Sequence, residues 1–188
     1  MPEKWPHTGA VLAGGAGRRM GRRKDSLPLP GGQTMLAVVH SVLGEVCERV
    51  VVVGDAETDL PRVEDLRPGH GPLGGIEALL ATGDDTDYLV CPCDLPLITP
   101  SLLRRLTGPG GMRGMATVFQ VEGETDFWPM PVRVSVQALD AVRSHLDAGR
   151  RAVHDLVREL YPEVIAVSRE ESAALANVNT PDDYERLL

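Results

Sequence analysis

The sequence predicts an α/β fold built on a mostly parallel sheet, and three observations predict it. Short apolar runs at residues 9–13, 50–53 and 88–93 have the composition of strands buried on both faces. Stretches with helical spacing of apolar residues separate them, as crossovers between parallel strands require. A glycine-rich stretch, residues 14–21, follows the first run directly, at the end of a strand where such sheets take their ligands. The chain has 188 residues, 43% apolar and 24% charged, which suits one ordered domain spanning residues 1–188.

Each element has its own local reason. Residues 8–13 form the first strand, since Ala10, Val11, Leu12 and Ala13 leave no polar face. Gly14, Gly15, Gly17 and Gly21 exclude a helix interior in the loop that follows. After a Pro-Gly turn at 27–32, Thr34 caps a helix carrying Met35, Leu36, Val38, Val39, Val42, Leu43 and Val46 at helical spacing. Residues 50–53 form a short strand ended by the Gly54-Asp55 turn. Residues 60–72, polar and rich in Pro and Gly, read as loop. A helix follows at 73–81, and a third buried strand at 88–93 is closed by Asp94-Leu95-Pro96. Thr99 caps a helix through Leu102, Leu103 and Leu106. Beyond the Gly108-Pro109-Gly110-Gly111 break, strands are expected at 115–121 and 128–134. Helices follow at 135–148 and 152–160, then a strand at 164–167 and a short helix after Thr180-Pro181. The second half reads as a continuation of the same sheet.

Charge and composition exclude several roles. The net charge is −8, whereas a nucleic-acid partner calls for a basic face. The first residues lack the basic and apolar regions of a signal peptide. No apolar run approaches the ~20 residues that span a bilayer, so neither nucleic acid nor membrane is an expected partner. Cys47, Cys91 and Cys93 read as reduced thiols of a cytoplasmic protein. Cys91-Pro92-Cys93 is too tightly spaced for zinc and reads as two small buried side chains.

The loop after the first strand suits a polyphosphate. Glycines let backbone N–H groups approach anionic oxygens, and Arg18, Arg19, Arg22, Arg23 and Lys24 supply charge-assisted donors. It is neither a P-loop nor a dinucleotide fingerprint. Asp94, delivered by a buried strand, offers a carboxylate to a hard cation such as Mg²⁺. Val63-Glu64-Asp65 stands at a third position on the same side of the sheet. Asn177 and Asn179 alternate ahead of the Thr180-Pro181 helix start. His70, His145 and His154 read as solvated, and Tyr184 as packing.

These residues carry a family resemblance. The motifs are Leu12-Ala13-Gly14-Gly15-Ala16-Gly17-Arg18-Arg19-Met20-Gly21 with Lys24, Gly71-Pro72-Leu73-Gly74-Gly75-Ile76, Cys91-Pro92-Cys93-Asp94-Leu95-Pro96, Ala148-Gly149-Arg150-Arg151 and Asn177-Val178-Asn179-Thr180-Pro181. Together and in this order they resemble the molybdenum cofactor guanylyltransferases over nearly the whole chain. The resemblance implies a three-layer, Rossmann-like nucleotidyltransferase fold with a mostly parallel central sheet. It implies transfer of GMP from GTP to the terminal phosphate of molybdopterin, with release of pyrophosphate and Mg²⁺ as cofactor. Leu12, Ala13, Gly14, Gly15, Gly17, Lys24, Asp65 and Asp94 would then bind the nucleotide. Arg19, Lys24 and Asp94 would act in catalysis, with Asp94 also the metal ligand. Arg151, Asn177 and Asn179 would meet the pterin substrate, and molybdoenzyme apoproteins or their chaperones are the expected protein partners. A sister nucleotidyltransferase, using CTP on the same pterin or acting on another phosphorylated substrate, and a non-catalytic nucleotide-binding partner of molybdoenzymes are the competing readings.

This chain departs from the family twice. Family members commonly carry Asp immediately before the loop lysine, whereas here Arg23 precedes Lys24 and Asp25 follows it. Some members have Asn near the end of the second strand, where this chain has Val53-Gly54-Asp55. Cytidylyltransferase relatives read Leu-Ala-Ala-Gly where this chain has Leu12-Ala13-Gly14-Gly15, so Gly14 is expected to leave room for the larger guanine ring.

Overall fold

The computed structural model describes residues 3–14, 27–108 and 114–187. A seven-stranded sheet runs in the order β3-β2-β1-β4-β6-β5-β7. Its strands are β1 (Trp5–Leu12), β2 (Cys47–Val53), β3 (Arg62–Val63), β4 (Asp87–Pro92), β5 (Ala116–Val121), β6 (Phe127–Ser135) and β7 (Glu163–Val167). Adjacent strands are parallel except where β6 lies between β4 and β5. The helices are α1 (Met35–Val46), α2 (Gly71–Ala81), α3 (Pro100–Leu106), α4 (Leu139–Asp147), α5 (Val153–Glu159) and α6 (Pro181–Glu185).

Strand alternation sends side chains to opposite faces, and each face has its own core. Val11, Val52, Leu89, Cys91 and Phe119 pack on one face with Leu36, Val39 and Leu43 of α1 and Leu102, Leu103 and Leu106 of α3. Ala10, Leu12, Val51, Val53, Tyr88 and Val90 pack on the other with residues of α2, α4 and α5. The result is the three-layer α/β arrangement expected from the sequence. The three cysteines are buried. Burial pushes the Cys47 thiol up to about 12 and Cys91 well above the ordinary range, so both stay protonated near neutrality.

Local signals set most boundaries. The Thr34 hydroxyl accepts from Ala37 N at the start of α1, and Thr99 does the same for Leu102 N at α3. Thr180 and Asp183 form a reciprocal capping box at α6. Strands β1 and β2 begin three residues earlier than the sequence reading has them, at Trp5 and Cys47, and three further differences have a clear local reason. Strand β3 lies inside the expected 60–72 loop, paired parallel to β2. Its two residues are exposed or half-buried, so no apolar pattern marks it; the free edge of β2 creates it. Helix α2 begins at Gly71, because Pro72 is well tolerated in a first turn. The expected 135–148 helix opens with a 3₁₀ turn, Val136–Ala138.

His145 is a correction. It is 1% exposed, and its Nε2 lies 2.7 Å from Glu159 on α5. The helix face that looked solvated is covered by the neighbouring helix. Arg133 is likewise buried at mid-sheet, where it donates to Asp87 Oδ1 at 2.7 Å, to the Thr117 hydroxyl and to the Gly114 carbonyl. This ion pair joins β4 to β6 at the amino end of β4, away from the loops considered next.

Candidate functional site

Strands β3, β2, β1 and β4 are mutually parallel neighbours, so their carboxyl ends form one continuous edge. Backbone bonds draw the end of β1 between its neighbours: Ala13 N donates to Val53 O at 2.9 Å, and Cys93 N donates to Leu12 O at 3.0 Å. Asp65, Asp55, Gly14 and Asp94 therefore leave four adjacent strands on the same side. Leu12 and Ala13 are buried and supply the floor from which the loop departs.

Two glycines let the β1 and β2 exits pass each other. Gly54 has φ +110, and a Cβ there would stand 2.2 Å from Ala13 O. Gly14 has φ +150, and a Cβ there would stand 2.6 Å from Asp55 Oδ1 and 3.3 Å from Asp55 N. A side chain at position 14 thus has a cost inside the chain, before any nucleotide enters. The Gly14–Asp55 contact is invisible in the sequence, where Asp55 is only a turn residue after an apolar run.

Asp65 lies two residues past β3. Its Oδ1 is buried and has no hydrogen-bond partner among the described residues. A Cβ on Gly75 would stand 3.6 Å from that oxygen and 3.1 Å from Leu12 and Val53, so Asp65 sits over the first turns of α2 beside the ends of β1 and β2. Burial, and then the nearby Asp55 carboxylate, raise its pKa above the ordinary value of 3.8. A carboxyl whose folded pKa is raised favours folding most in acid. That contribution is lost as pH climbs from 3.8 through the raised value, so at neutral pH the ionised group opposes folding. Asp65→Asn is therefore expected to raise the Tm at pH 7, with the gain shrinking as pH falls through the raised value and gone below 3.8. Thermal unfolding across that range checks it, and a lower Tm at pH 7 would show that the carboxylate is a stabilising group.

Asp94 follows β4 with one carboxylate oxygen buried. Its carbonyl accepts from Val178 N at 2.9 Å, which brings the 177–179 segment to the same edge. Val178 is buried in a small cluster with Leu27 and Met35, flanked by an exposed Asn177 and a half-buried Asn179. That alternation explains the paired asparagines. Arg151 is exposed, and its Nη1 donates to Gly69 O at 3.3 Å, so the turn after α4 reaches the loop ahead of α2. Gly15, Gly17, Arg19 and Lys24 lie outside the described residues.

Among the described residues no group of three or more His, Cys, Asp or Glu gathers to hold a metal ion. Asp94 offers a hard oxygen donor at the end of β4, and burial keeps the nearby Cys91 thiol protonated. This donor set fits a hydrated ion such as Mg²⁺, shared between one carboxylate and substrate phosphates, rather than a closed protein cage. Among the described residues no helix is long and apolar enough to cross a membrane.

A parallel sheet with a glycine turn and carboxylates at adjacent strand ends is the layout of a nucleotide-handling α/β enzyme. Residues 9–176 match the family model described as the MobA-like NTP transferase domain. The chain is 32% identical to the molybdenum cofactor guanylyltransferase of Xanthomonas euvesicatoria pv. vesicatoria, over 97% of this chain and 95% of that one. The solved molybdopterin-guanine dinucleotide biosynthesis protein A of Archaeoglobus fulgidus superimposes with a TM-score of 0.79 at 23% identity, covering 96% of both chains. A Mycobacterium tuberculosis protein solved in complex with manganese matches with a TM-score of 0.64 at 23% identity, covering 99% of both. The chain belongs to the MobA-like NTP transferase family and is a nucleotidyltransferase enzyme.

Proposed function

We propose that this enzyme transfers GMP from GTP to the terminal phosphate of molybdopterin and releases pyrophosphate, in cytoplasmic assembly of the guanine dinucleotide form of the molybdenum cofactor. The observation that carries the reading is the row of Gly14, Asp55, Asp65 and Asp94 on adjacent strand ends, in a chain 32% identical to a guanylyltransferase over nearly its full length. A terminal phosphate oxygen of the pterin attacks the α-phosphorus of GTP. A bond forms between them, the bond from α-phosphorus to the bridging oxygen breaks, and pyrophosphate leaves with that electron pair. The attacking phosphate is already ionised, so no Ser, Cys or His nucleophile is required. The chain must instead align two anions and offset their repulsion.

Each residue has a role in this reading. Amides of the loop through Gly14, Gly15 and Gly17, with Arg19 and Lys24, hold the triphosphate. Leu12 and Ala13 carry the loop. Asp65 accepts from the N–H groups on the guanine edge, a use that suits a buried carboxylate oxygen with no protein donor among the described residues. Asp94 holds Mg²⁺, which when bound neutralises phosphate charge. Arg151, Asn177 and Asn179 face the pterin substrate. Molybdoenzyme apoproteins or their chaperones receive the product, and residues 1–188 act as one domain.

The test is pyrophosphate release from GTP, CTP, ATP and UTP, each with purified molybdopterin and Mg²⁺. GTP is expected to exceed CTP in kcat/KM by about 100-fold or more, since buried polar groups left unpaired penalise the wrong base. Better use of CTP would make the chain a cytidylyltransferase. No release from any nucleotide would make it a binding partner instead.

A further inference from the structure

The apolar residue next to Asp65 does not anchor its loop to the core. Leu66, between Asp65 and Arg67, is 58% exposed, and Asp65 Oδ1 has no hydrogen-bond partner among the described residues. The orientation of Asp65 must come from what fixes its flanking backbone. On the β3 side that is the parallel pairing with β2. On the other side it is an ionic clamp on Arg67.

Glu77 stands in the middle of α2, and its side chain is 3% exposed. Its neighbours in the helix include Leu73, Ile76, Leu79 and Leu80, all buried. A carboxylate there loses most of its hydration, and an apolar residue of similar size would usually pack at least as stably. Among the described residues two cations answer it: Arg67 Nε at 3.0 Å and Arg143 Nε at 3.6 Å. The Arg67 contact is ionic rather than a well-aligned hydrogen bond. The far end of the same guanidinium donates to Asp147 Oδ1, the last residue of α4, at 2.5 Å. A planar fork gripped at both ends cannot swing as a lysine would. The backbone follows: His70 N donates to Arg67 O at 3.3 Å. A Cβ on Gly74 would stand 2.9 Å from His70 and 3.4 Å from Arg67 O, so the loop lies directly on the start of α2. Arg151 grips the Gly69 carbonyl from the α4–α5 corner.

We propose that Arg67, clamped between Glu77 and Asp147, is a positioning residue that aims Asp65 at the nucleotide base. This rests on the reading in which Asp65 meets guanine. It assigns a purpose to a buried carboxylate that packing alone does not require, and it places part of the base selectivity under the control of α2 and α4, beside the loop after β1.

The test compares wild type with Arg67→Ala, Arg67→Lys and Glu77→Gln. Calorimetry gives Kd for GTP, ITP and CTP, and kinetics gives kcat and KM. ITP lacks the exocyclic amine of guanine, so the GTP-to-ITP ratio reads the base edge. Arg67→Ala is expected to weaken GTP by about 10- to 100-fold in Kd and KM, as a misplaced contact does. The GTP-to-ITP ratio should collapse towards unity, with kcat kept within about threefold, the signature of lost binding rather than lost chemistry. Arg67→Lys should fall between the two. Glu77→Gln, close in shape, should show the same loss of ratio and decides the matter if Arg67→Ala fails to fold. An unchanged ratio in a folded variant, or equal losses for GTP and ITP, would overturn the proposal. Should wild type prefer CTP, the guanylyl reading falls by itself, and the clamp is judged by whether the CTP-to-UTP ratio moves in the same variants.

Discussion

Asp94→Asn is expected to lower kcat by roughly 10²–10⁴-fold while leaving the fold intact. Loss of a catalytic metal ligand removes several kcal/mol of charge stabilisation, and each ~1.4 kcal/mol is about tenfold in rate. The effect on structure should be small for a specific reason. The bond that ties the 177–179 segment to this strand end uses the Asp94 backbone carbonyl, 2.9 Å from Val178 N, and asparagine keeps that carbonyl. Size and planar shape are kept as well, while the charge is lost and one acceptor oxygen becomes a donor NH2. Rates measured across Mg²⁺ concentrations, with Tm as the control for folding, check the prediction. Wild-type turnover at limiting Mg²⁺ would reduce Asp94 to a turn residue.

Gly14→Ala is expected to lower kcat/KM for GTP by about 10- to 100-fold. Holding a non-glycine residue in a sparsely populated backbone region costs about 1–3 kcal/mol, and position 14 has φ +150. The added methyl also meets Asp55 Oδ1 at 2.6 Å and the Asp55 backbone at 3.3 Å, so either the loop exit or the Asp55 turn must shift. CTP should lose less than GTP if the shift disturbs the base side of the site. Asp55→Ala in the Gly14→Ala background separates the two causes, because only the overlap is relieved by removing the carboxylate. The matched control is Gly44→Ala in α1, where no neighbouring atom lies within 4 Å and alanine is the better helix former. That variant should be at least as stable as wild type. A Gly14→Ala enzyme with wild-type kinetics would show that the loop tolerates the strain.

Much of the fold was legible in the chain because its signals are local. Buried runs such as residues 50–53 can only be strands or buried helix turns, and their length decides for strands. Thr34, Thr99 and Thr180 announce helix starts through short-range bonds that the structure contains. The position of Asp94 was legible for the same reason: a residue that closes a buried parallel strand stands at the sheet edge wherever the rest of the chain goes. The family motifs, spread over nearly the whole chain, marked the nucleotidyltransferase class.

Other features belong to no single segment, and only tertiary structure decided them. Strand β3 has no apolar pattern and exists because β2 offers it an edge. His145 looks like a solvated residue on an amphipathic helix until α5 covers it with Glu159, 14 residues on. Gly14 needs to be glycine partly because of Asp55, which lies on another strand end and is brought close by the crossover through α1. Arg67, Glu77 and Asp147 come from a loop and two helices, and a reader of the sequence meets three unrelated surface charges. The physical reason is common to all four. Propensity, capping and strand patterning act over a few residues of chain, whereas ion pairing, steric overlap and edge pairing act across a few ångströms of space, between groups whose sequence separation carries no trace of their contact.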